Sequence, residues 1–571
     1  MAAQYWTHEA MWGQLRAWER EYPDLIRAEA AARSRQGRDV ALVTLTNRAT
    51  GDPGAKPGAF VDANIHAGEV TGNAVAMYWI GRLLEGHGHD AESTRILDEH
   101  TVYIIPRIAV DGAELYLTSP MRLRSSPHLY PDVERTTGWI PEDVNGDGLI
   151  LTMRQESPDG GYKIDREDPR LMVPREPDDV DGPFYHLYTE GRVDRRHRGG
   201  RRPVAADLAA ARRMAMDFNR NFPVRWAGEV GQPGAGPFPL SEPETRAIVE
   251  TVLAHPNVAT YVALHTAGGV ILRQPSLGDD TKLGLDDLSY YRHIGDMGER
   301  RSGYFCQSNF QAFASGHEKS GLMPGAADDW AYDTQGILGF TLEIWDLARH
   351  AGARGYAEYG RRHLMELSAA ERAEDSRKIL SWATRTVGET AFHAWTGFSH
   401  PDLGPVEIGG LEPKFLVQNP PLALLEEECA HVAHFLSGLT LAAPRLEVGA
   451  WVVESLGQDV YRVAVEVVNA GYLPTSATAK GRELQRAEPV RAHIQGAIVV
   501  GGLSPVTLGH LDGYGGAGEG SRAHQSATAE WVVRGGQNDP VVVRFEGGRG
   551  GQAAMTLTLT PGSSGVLTPD A

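Results

Sequence analysis

The stretch VDANIHAGEVTGNAVAMYW, residues 61–79, changes period in its middle. Up to the hinge it alternates like a strand, and beyond it Val70, Ala74, Met77 and Tyr78 recur on one face of a helix. His66 and Glu69 sit at the hinge between the two patterns. A histidine and a glutamate there are either ordinary turn polarity or two ligands of a metal, and the rest of the chain has to decide between them.

Outward from this point, strand-like and helix-like runs alternate from residue 40 to about 345, the sign of an α/β domain. DVALVTLTN, AFVDANIHA, TVYIIPRIA, ATYVALHTA and GILGFTLEIW are short apolar runs suited to strands buried on both faces. SEPETRAIVETVLAHP (241–256) reads as a helix capped by Ser241 or Glu242, with its last turn at Leu253 to His255. Residues 116–215 break the rhythm. They are rich in Pro, Gly, Asp and Arg and read as long excursions around the core. The charged stretch 356–388 is helical in period, and EEECAHVAHFLSGLTL (426–441) reads as a last helix.

After Pro444 the character changes. AWVVESL, VYRVAVEVV, RAHIQGAIVV, AEWVVR, PVVVRFEG and AAMTLTLTP are β-like runs separated by Gly-rich turns, an antiparallel sandwich of roughly 120 residues. The expected architecture is α/β, with a mixed, mostly parallel sheet flanked by helices over residues 1–443. A small all-β sandwich follows over 444–571.

Composition narrows the function classes. With 571 residues the chain can bury a large core, and a net charge of -19 argues against a nucleic-acid surface. The basic run RVDRRHRGGRR (192–202) is local, flanked by acidic and Pro-rich sequence, and reads as a solvated loop. The two cysteines, Cys306 and Cys429, allow at most one disulfide. No apolar run approaches the ~20 residues of a membrane span. The N-terminus lacks the charged-then-apolar order of a signal peptide and reads as an amphipathic helix of the fold. A cytoplasmic location is the expectation, unless a leader is removed.

Open α/β sheets place ligands at the carboxyl ends of their strands. His66 closes AFVDANIHA, His265 closes ATYVALH, and Glu343 lies near the end of GFTLE. Two histidines and a carboxylate make a catalytic zinc set with its fourth position left for water. The H-x-x-E spacing lets His66 and Glu69 converge from a strand end and a first helical turn, with a third ligand from a distant strand.

On these residues the sequence resembles the zinc carboxypeptidase family. IHAGEV is similar to the family's H-x-x-E pair, and IIPRIAVDGAE to its P-x-x-N-P-D-G-x-E stretch, with Ala109 and Val110 replacing Asn-Pro. MRQESPDG resembles the segment with the catalytic arginine, which maps to Arg154. MDFNRNF matches D-x-N-R-N-[FW], giving Asn219 and Arg220 for the substrate carboxylate. ALHTAGGVIL carries His265 as third ligand, and ADDWAYDTQGILGFTLEIWD gives Glu343 as general base. The resemblance implies one Zn2+ per chain, held by His66, Glu69 and His265, and hydrolysis of the C-terminal bond of a peptide with a free carboxylate. Two other readings remain open: a zinc amidase removing γ-linked or modified residues, and a low-turnover zinc-binding module that docks through its sandwich.

Departures are specific. The substrate-closing tyrosine is not evident, and its expected place in GLMPGAADDW has Leu322 or Met323 nearest. Gly68 stands where digestive members carry an accessory arginine. Asp328 aligns with the specificity pocket, where an acid favours a basic C-terminal side chain. Finally, DVNGDG (143–148) resembles the start of a calcium loop, but its twelfth position is Arg154. Asp143, Asn145 and Asp147 are left as candidate ligands of a structural cation.

Overall fold

The computed structural model describes residues 2–128, 130, 139–193, 216–313, 323–356, 358, 364–515 and 524–566. Most of the basic run 192–202, residues 129, 131–138 and 194–215 of the excursion, and Leu322 lie outside the described residues.

The sheet that positions the site has eight strands: β1 (Ile26–Arg33), β2 (Asp39–Leu45), β3 (Gly58–Ala63), β4 (Thr101–Ile105), β5 (Val258–Thr266), β6 (Val270–Arg273), β7 (Phe305–Ser308) and β8 (Leu338–Ile344). Their order is β1-β2-β4-β3-β5-β8-β6-β7. The central run β4-β3-β5-β8 is parallel, whereas β1-β2, β2-β4 and β8-β6 pair antiparallel. The apolar runs of the sequence are therefore the central strands, and β3, β4 and β5 are buried along their whole length. Parallel strands need covered faces.

The helices that supply this cover are α1 (His8–Glu21), α2 (Val70–Gly86), α3 (Pro243–Ala254), α4 (Leu285–Ser302), α5 (Asn309–Phe313), α6 (Ala327–Gln335) and α7 (Leu422–Leu441). The amphipathic N-terminal pattern becomes α1, with Met11, Leu15 and Trp18 buried. Glu242 holds the N-cap position of α3, but its side chain makes no cap bond and pairs with Arg35 at 2.8 Å. Helix α2 lies so close to the sheet that a Cβ at Gly72 would meet the Leu264 carbonyl oxygen at 2.8 Å. No helix among the described residues is long and apolar enough to cross a membrane.

The described part of the excursion forms regular strands that its composition does not signal. Four of its strands, Thr152–Glu156, Tyr162–Ile164, Met172–Pro174 and Phe184–Thr189, join Phe392–His400 and Gly404–Leu411 in a six-stranded sheet. Its partners lie more than 200 residues away, as in the register of Arg154 with Glu407. Local sequence carries no such signal.

From Leu446 onward two antiparallel sheets of five and four strands face each other. Val463, Trp531, Val543 and Phe545 are buried between them. Both cysteines are free, Cys429 buried and Cys306 half-buried.

Candidate metal centre and catalytic cleft

Strand β3 runs through α2 into β4 on one side, while β5 lies on its other side. Their carboxyl ends thus form a topological switch point, where an open sheet leaves a crevice. The turn between β3 and α2 is set by Asn64, at φ 59°. Its amide donates to the carbonyl oxygens of His66 (2.6 Å) and Ala67 (3.3 Å). This fixes His66 and places Glu69 at the N-cap position of α2.

His66 Nδ1 lies 2.9 Å from Glu69 Oε1, His265 Nδ1 lies 3.0 Å from Glu69 Oε2, and the two Nδ1 atoms are 3.1 Å apart. All three residues are buried. They are the one group of His, Cys, Asp or Glu side chains among the described residues whose ligand atoms all converge within 4.8 Å. Burial pushes the Glu69 carboxyl up, but the two imidazoles outweigh it and hold it well below the usual range. Burial likewise opposes charge on His265, yet Glu69 and then Glu343 raise it to about 9. Two imidazoles facing one carboxylate call for positive charge where they meet, which is the donor set and the electrostatics of a zinc site.

Around the donors stands a supporting shell. His66 Nε2 lies 3.1 Å from Asp217 Oδ1, and Arg124 Nε donates to Asp217 Oδ2 at 3.0 Å. Burial raises the Asp217 carboxyl, while Arg124, Arg220 and His66 bring it well below its ordinary value. Arg124 also approaches Glu69 at 3.6 Å.

Glu343 stands opposite His265 in the register of β8 and β5. Burial raises its carboxyl to about 7, with His265 opposing and Glu69 adding to the rise. A cavity of about 250 Å³ is lined by the three donors together with Arg124, Asn219, Arg220, Asp328 and Glu343. Asn219 Oδ1 accepts the Ala327 N–H at 2.8 Å, tying this loop to the first residue of α6. Arg220 is 8% exposed, and its Nε has no hydrogen-bond partner among the described residues. In the first turn of α6, Asp329 is taken up by Arg225, Gln274 and Ser276. Asp328 instead accepts the side-chain amide N–H of Asn309 at 2.7 Å. Burial and neighbouring Asp329 raise it to about 6.

Two expectations find no support in the structure. Arg154 does not line the cavity: it lies in the second sheet, donating to Glu407 at 2.8 Å and stacked over Trp395 at 4.4 Å. Arg124, by contrast, lines the cavity with the three donors. Asp217 and Arg124 were missed because both lie among loop residues without periodicity; the one local cue was the acid two residues before Asn219. The calcium-like loop gains no support as a cation site. The Asp143 carboxylate accepts backbone N–H groups of Gly146, Asp147 and Gly148, while Asn145 donates to Asp147 at 2.9 Å, as in an Asx-rich turn.

At Gly68 a Cβ would meet the end of the Gln418 side chain at 2.8 Å and the Tyr116 ring at 3.0 Å, so a larger residue there requires those side chains to shift. Met323, near the expected place of a closing tyrosine, lines the cavity.

Comparison with known proteins agrees with this geometry: residues 13–357 match the zinc carboxypeptidase family model. The chain belongs to the zinc carboxypeptidase family. Residues 445–558 match a domain of unknown function. Among curated family members, bovine (Bos taurus) carboxypeptidase B is 21% identical over 354 residues, 59% of this chain and 63% of that one. Rat (Rattus norvegicus) carboxypeptidase B2 is 27% identical over 145 residues, 24% of this chain and 34% of its own. The chain thus spans less than two thirds of the length of these curated relatives. Thrombin-activatable fibrinolysis inhibitor, a solved structure, is 18% identical with a TM-score of 0.39, covering 67% of this chain and 75% of its own. The family implies a zinc cofactor, and His66, Glu69 and His265 fit it.

Proposed function

We propose that this zinc carboxypeptidase homologue hydrolyses the C-terminal peptide bond of peptides, with one zinc ion held by His66, Glu69 and His265. The chemistry zinc supplies when bound there is Lewis acidity, bringing the pKa of water toward ~7 and polarising a carbonyl. Glu343 takes a proton from the attacking water and delivers it to the amine nitrogen as the C–N bond breaks. A carboxyl raised toward neutrality by burial is suited to both transfers. Arg124 donates to the carbonyl oxygen as negative charge develops on it. Arg220 and Asn219, on the same wall of the cavity, receive the substrate's terminal carboxylate. Asp328 faces a basic C-terminal side chain.

The observation that carries this reading is the register of Glu343 with His265 across β8 and β5, which sets a non-ligand carboxylate beside the donor set. A binding module has no use for that carboxylate. The test pairs zinc analysis with hydrolysis of benzoyl-Gly-Arg, benzoyl-Gly-Phe and a γ-glutamyl amide by wild type and Glu343→Gln. Near one equivalent of zinc in both proteins, with peptide hydrolysis lost in the variant by at least about 10²-fold, is expected. Retained hydrolysis removes Glu343 as the base. Turnover of the γ-glutamyl amide alone would favour the amidase reading.

A further inference from the structure

The end of α6 opposite the cleft is held by the C-terminal sandwich. Helix α6 carries Asp328 and Asp329 in its first turn and finishes at Gln335, with Gly336 in the left-handed conformation at φ 59°. The last carbonyls of a helix have no partners within it. Here their donors come from residues 478–549. Arg549 Nη2 donates to the Gln335 oxygen at 2.5 Å, and Nη1 to the oxygens of Gly336 (2.5 Å) and Ser476 (2.9 Å). Thr478 Oγ1 donates to the Gly336 oxygen at 2.7 Å, and Arg486 Nε to the Thr334 oxygen at 3.2 Å. The fit is close: a Cβ on Gly336 would meet the Gly481 Cα at 2.2 Å.

Arg549 is an unusual residue to spend on a brace. It is 3% exposed, and burial without a facing carboxylate pushes its pKa down to about 9. Its hydrogen bonds all go to carbonyl oxygens, two of them at the negative end of the α6 dipole, where a cation is favoured. A second tie crosses alongside. Asp287 of α4 accepts the N–H groups of Ala479 (2.7 Å) and Lys480 (3.1 Å) and the Tyr332 hydroxyl of α6 (2.8 Å). Along α6, Arg225 joins Asp333 to Asp329, so the helix links the sandwich to the cleft wall.

We propose that Arg549 is a positioning residue for the substrate pocket: by fixing the carboxyl end of α6, the C-terminal domain sets where Asp328 stands in the cleft. The inference rests on the carboxypeptidase reading above. It gives the domain of unknown function a role inside the catalytic unit, as a support that tunes substrate binding. Catalysis itself stays with β3, β5 and β8, which do not bond Arg549.

The test measures KM and kcat separately for benzoyl-Gly-Arg, on full-length wild type, Arg549→Met, Arg549→Lys and Arg445→Ala. Displacement of a positioned group costs binding steeply. Arg549→Met is expected to raise KM by about tenfold or more, with kcat within about twofold and zinc content unchanged. Arg549→Lys, which keeps a cation at the helix end, should recover most of the loss. Arg445 joins the sandwich boundary to Glu99 at 3.1 Å, away from α6. Arg445→Ala is expected to lower thermal stability and leave KM alone. If Arg549→Met does not accumulate folded, Thr478→Val, which removes one donor to the same Gly336 oxygen, gives the same readout. An unchanged KM in a folded Arg549 or Thr478 variant overturns the inference, as does an equal KM rise in Arg445→Ala. A wild type that hydrolyses no peptide strikes the carboxypeptidase reading and this inference together; an active wild type with unmoved KM in the variants strikes this inference alone.

Discussion

His66 and Asp217 face each other across 3.1 Å, with the histidine's other ring nitrogen turned to the donor cluster. A carboxylate behind a ligating imidazole fixes its tautomer and orientation and raises its basicity. Asp217→Asn keeps the shape but loses the charge. It is expected to weaken zinc binding roughly 10–100-fold, measured by competition with a chromophoric chelator. An unchanged zinc affinity would leave Asp217 as a partner of Arg124 only.

The two arginines give opposite outcomes when truncated. Arg124→Ala removes the donor beside the cleft, and kcat is expected to fall roughly 10²–10³-fold while the fold is kept. Arg154→Ala removes a cation–π contact with Trp395, at a cost of about 1 kcal/mol seen in thermal melts, with kcat unchanged. The reverse pattern would restore the role that the sequence motif suggested for Arg154.

That pair of arginines marks where the sequence was legible. His66, Glu69, His265 and Glu343 could be read because each lies at or near the carboxyl end of an apolar run, and a run buried on both faces is a strong local signal. Position along the strand then implied position at the sheet edge. Arg124 and Arg154 both lie in a Pro-, Asp- and Arg-rich stretch where no period applies. Their roles were decided by distant ties: the Ala67 N–H bonds the Arg124 oxygen beside His66, whereas Arg154 pairs with Glu407 in another sheet. The D-x-N-x-D-G order was ambiguous for a related reason, since the carboxylates that bind a cation also accept turn N–H groups.

Glu244 predicts a pH dependence of stability remote from the cleft. It is 3% exposed, and its Oε2 has no hydrogen-bond partner among the described residues. Burial, with Glu242 and Asp111 adding like charge, raises its pKa to about 8. The folded state therefore holds a proton that the unfolded chain releases near its ordinary pKa of 4.5. This contribution is full below about pH 4.5 and is lost as pH rises through about 8. Glu244→Gln, neutral at every pH, should flatten the stability profile and unfold later than wild type above pH 8, by up to about 4 kcal/mol in urea titrations. Parallel profiles for the two proteins would show that Glu244 is ionised in the fold.

Asp328 carries the prediction on substrate choice. Its neighbour Asp329 is satisfied by Arg225, Gln274 and Ser276, while Asp328 accepts from Asn309 and lines the cavity. A guanidinium entering the pocket would find a carboxylate in no ion pair among the described residues. Wild type is expected to release Arg from benzoyl-Gly-Arg faster than Phe from benzoyl-Gly-Phe. Asp328→Asn should lower kcat/KM for the Arg substrate by at least about thirtyfold, equivalent to about 2 kcal/mol, and leave the Phe substrate little changed. Burial and Asp329 hold the carboxyl at about 6, so it ionises as pH rises through that value. The preference for Arg over Phe should therefore grow between about pH 5 and 7 in wild type and stay flat in Asp328→Asn. Faster release of Phe than Arg by wild type at pH 7 would remove Asp328 as the specificity residue, leaving its charge to serve the Asn309 contact alone.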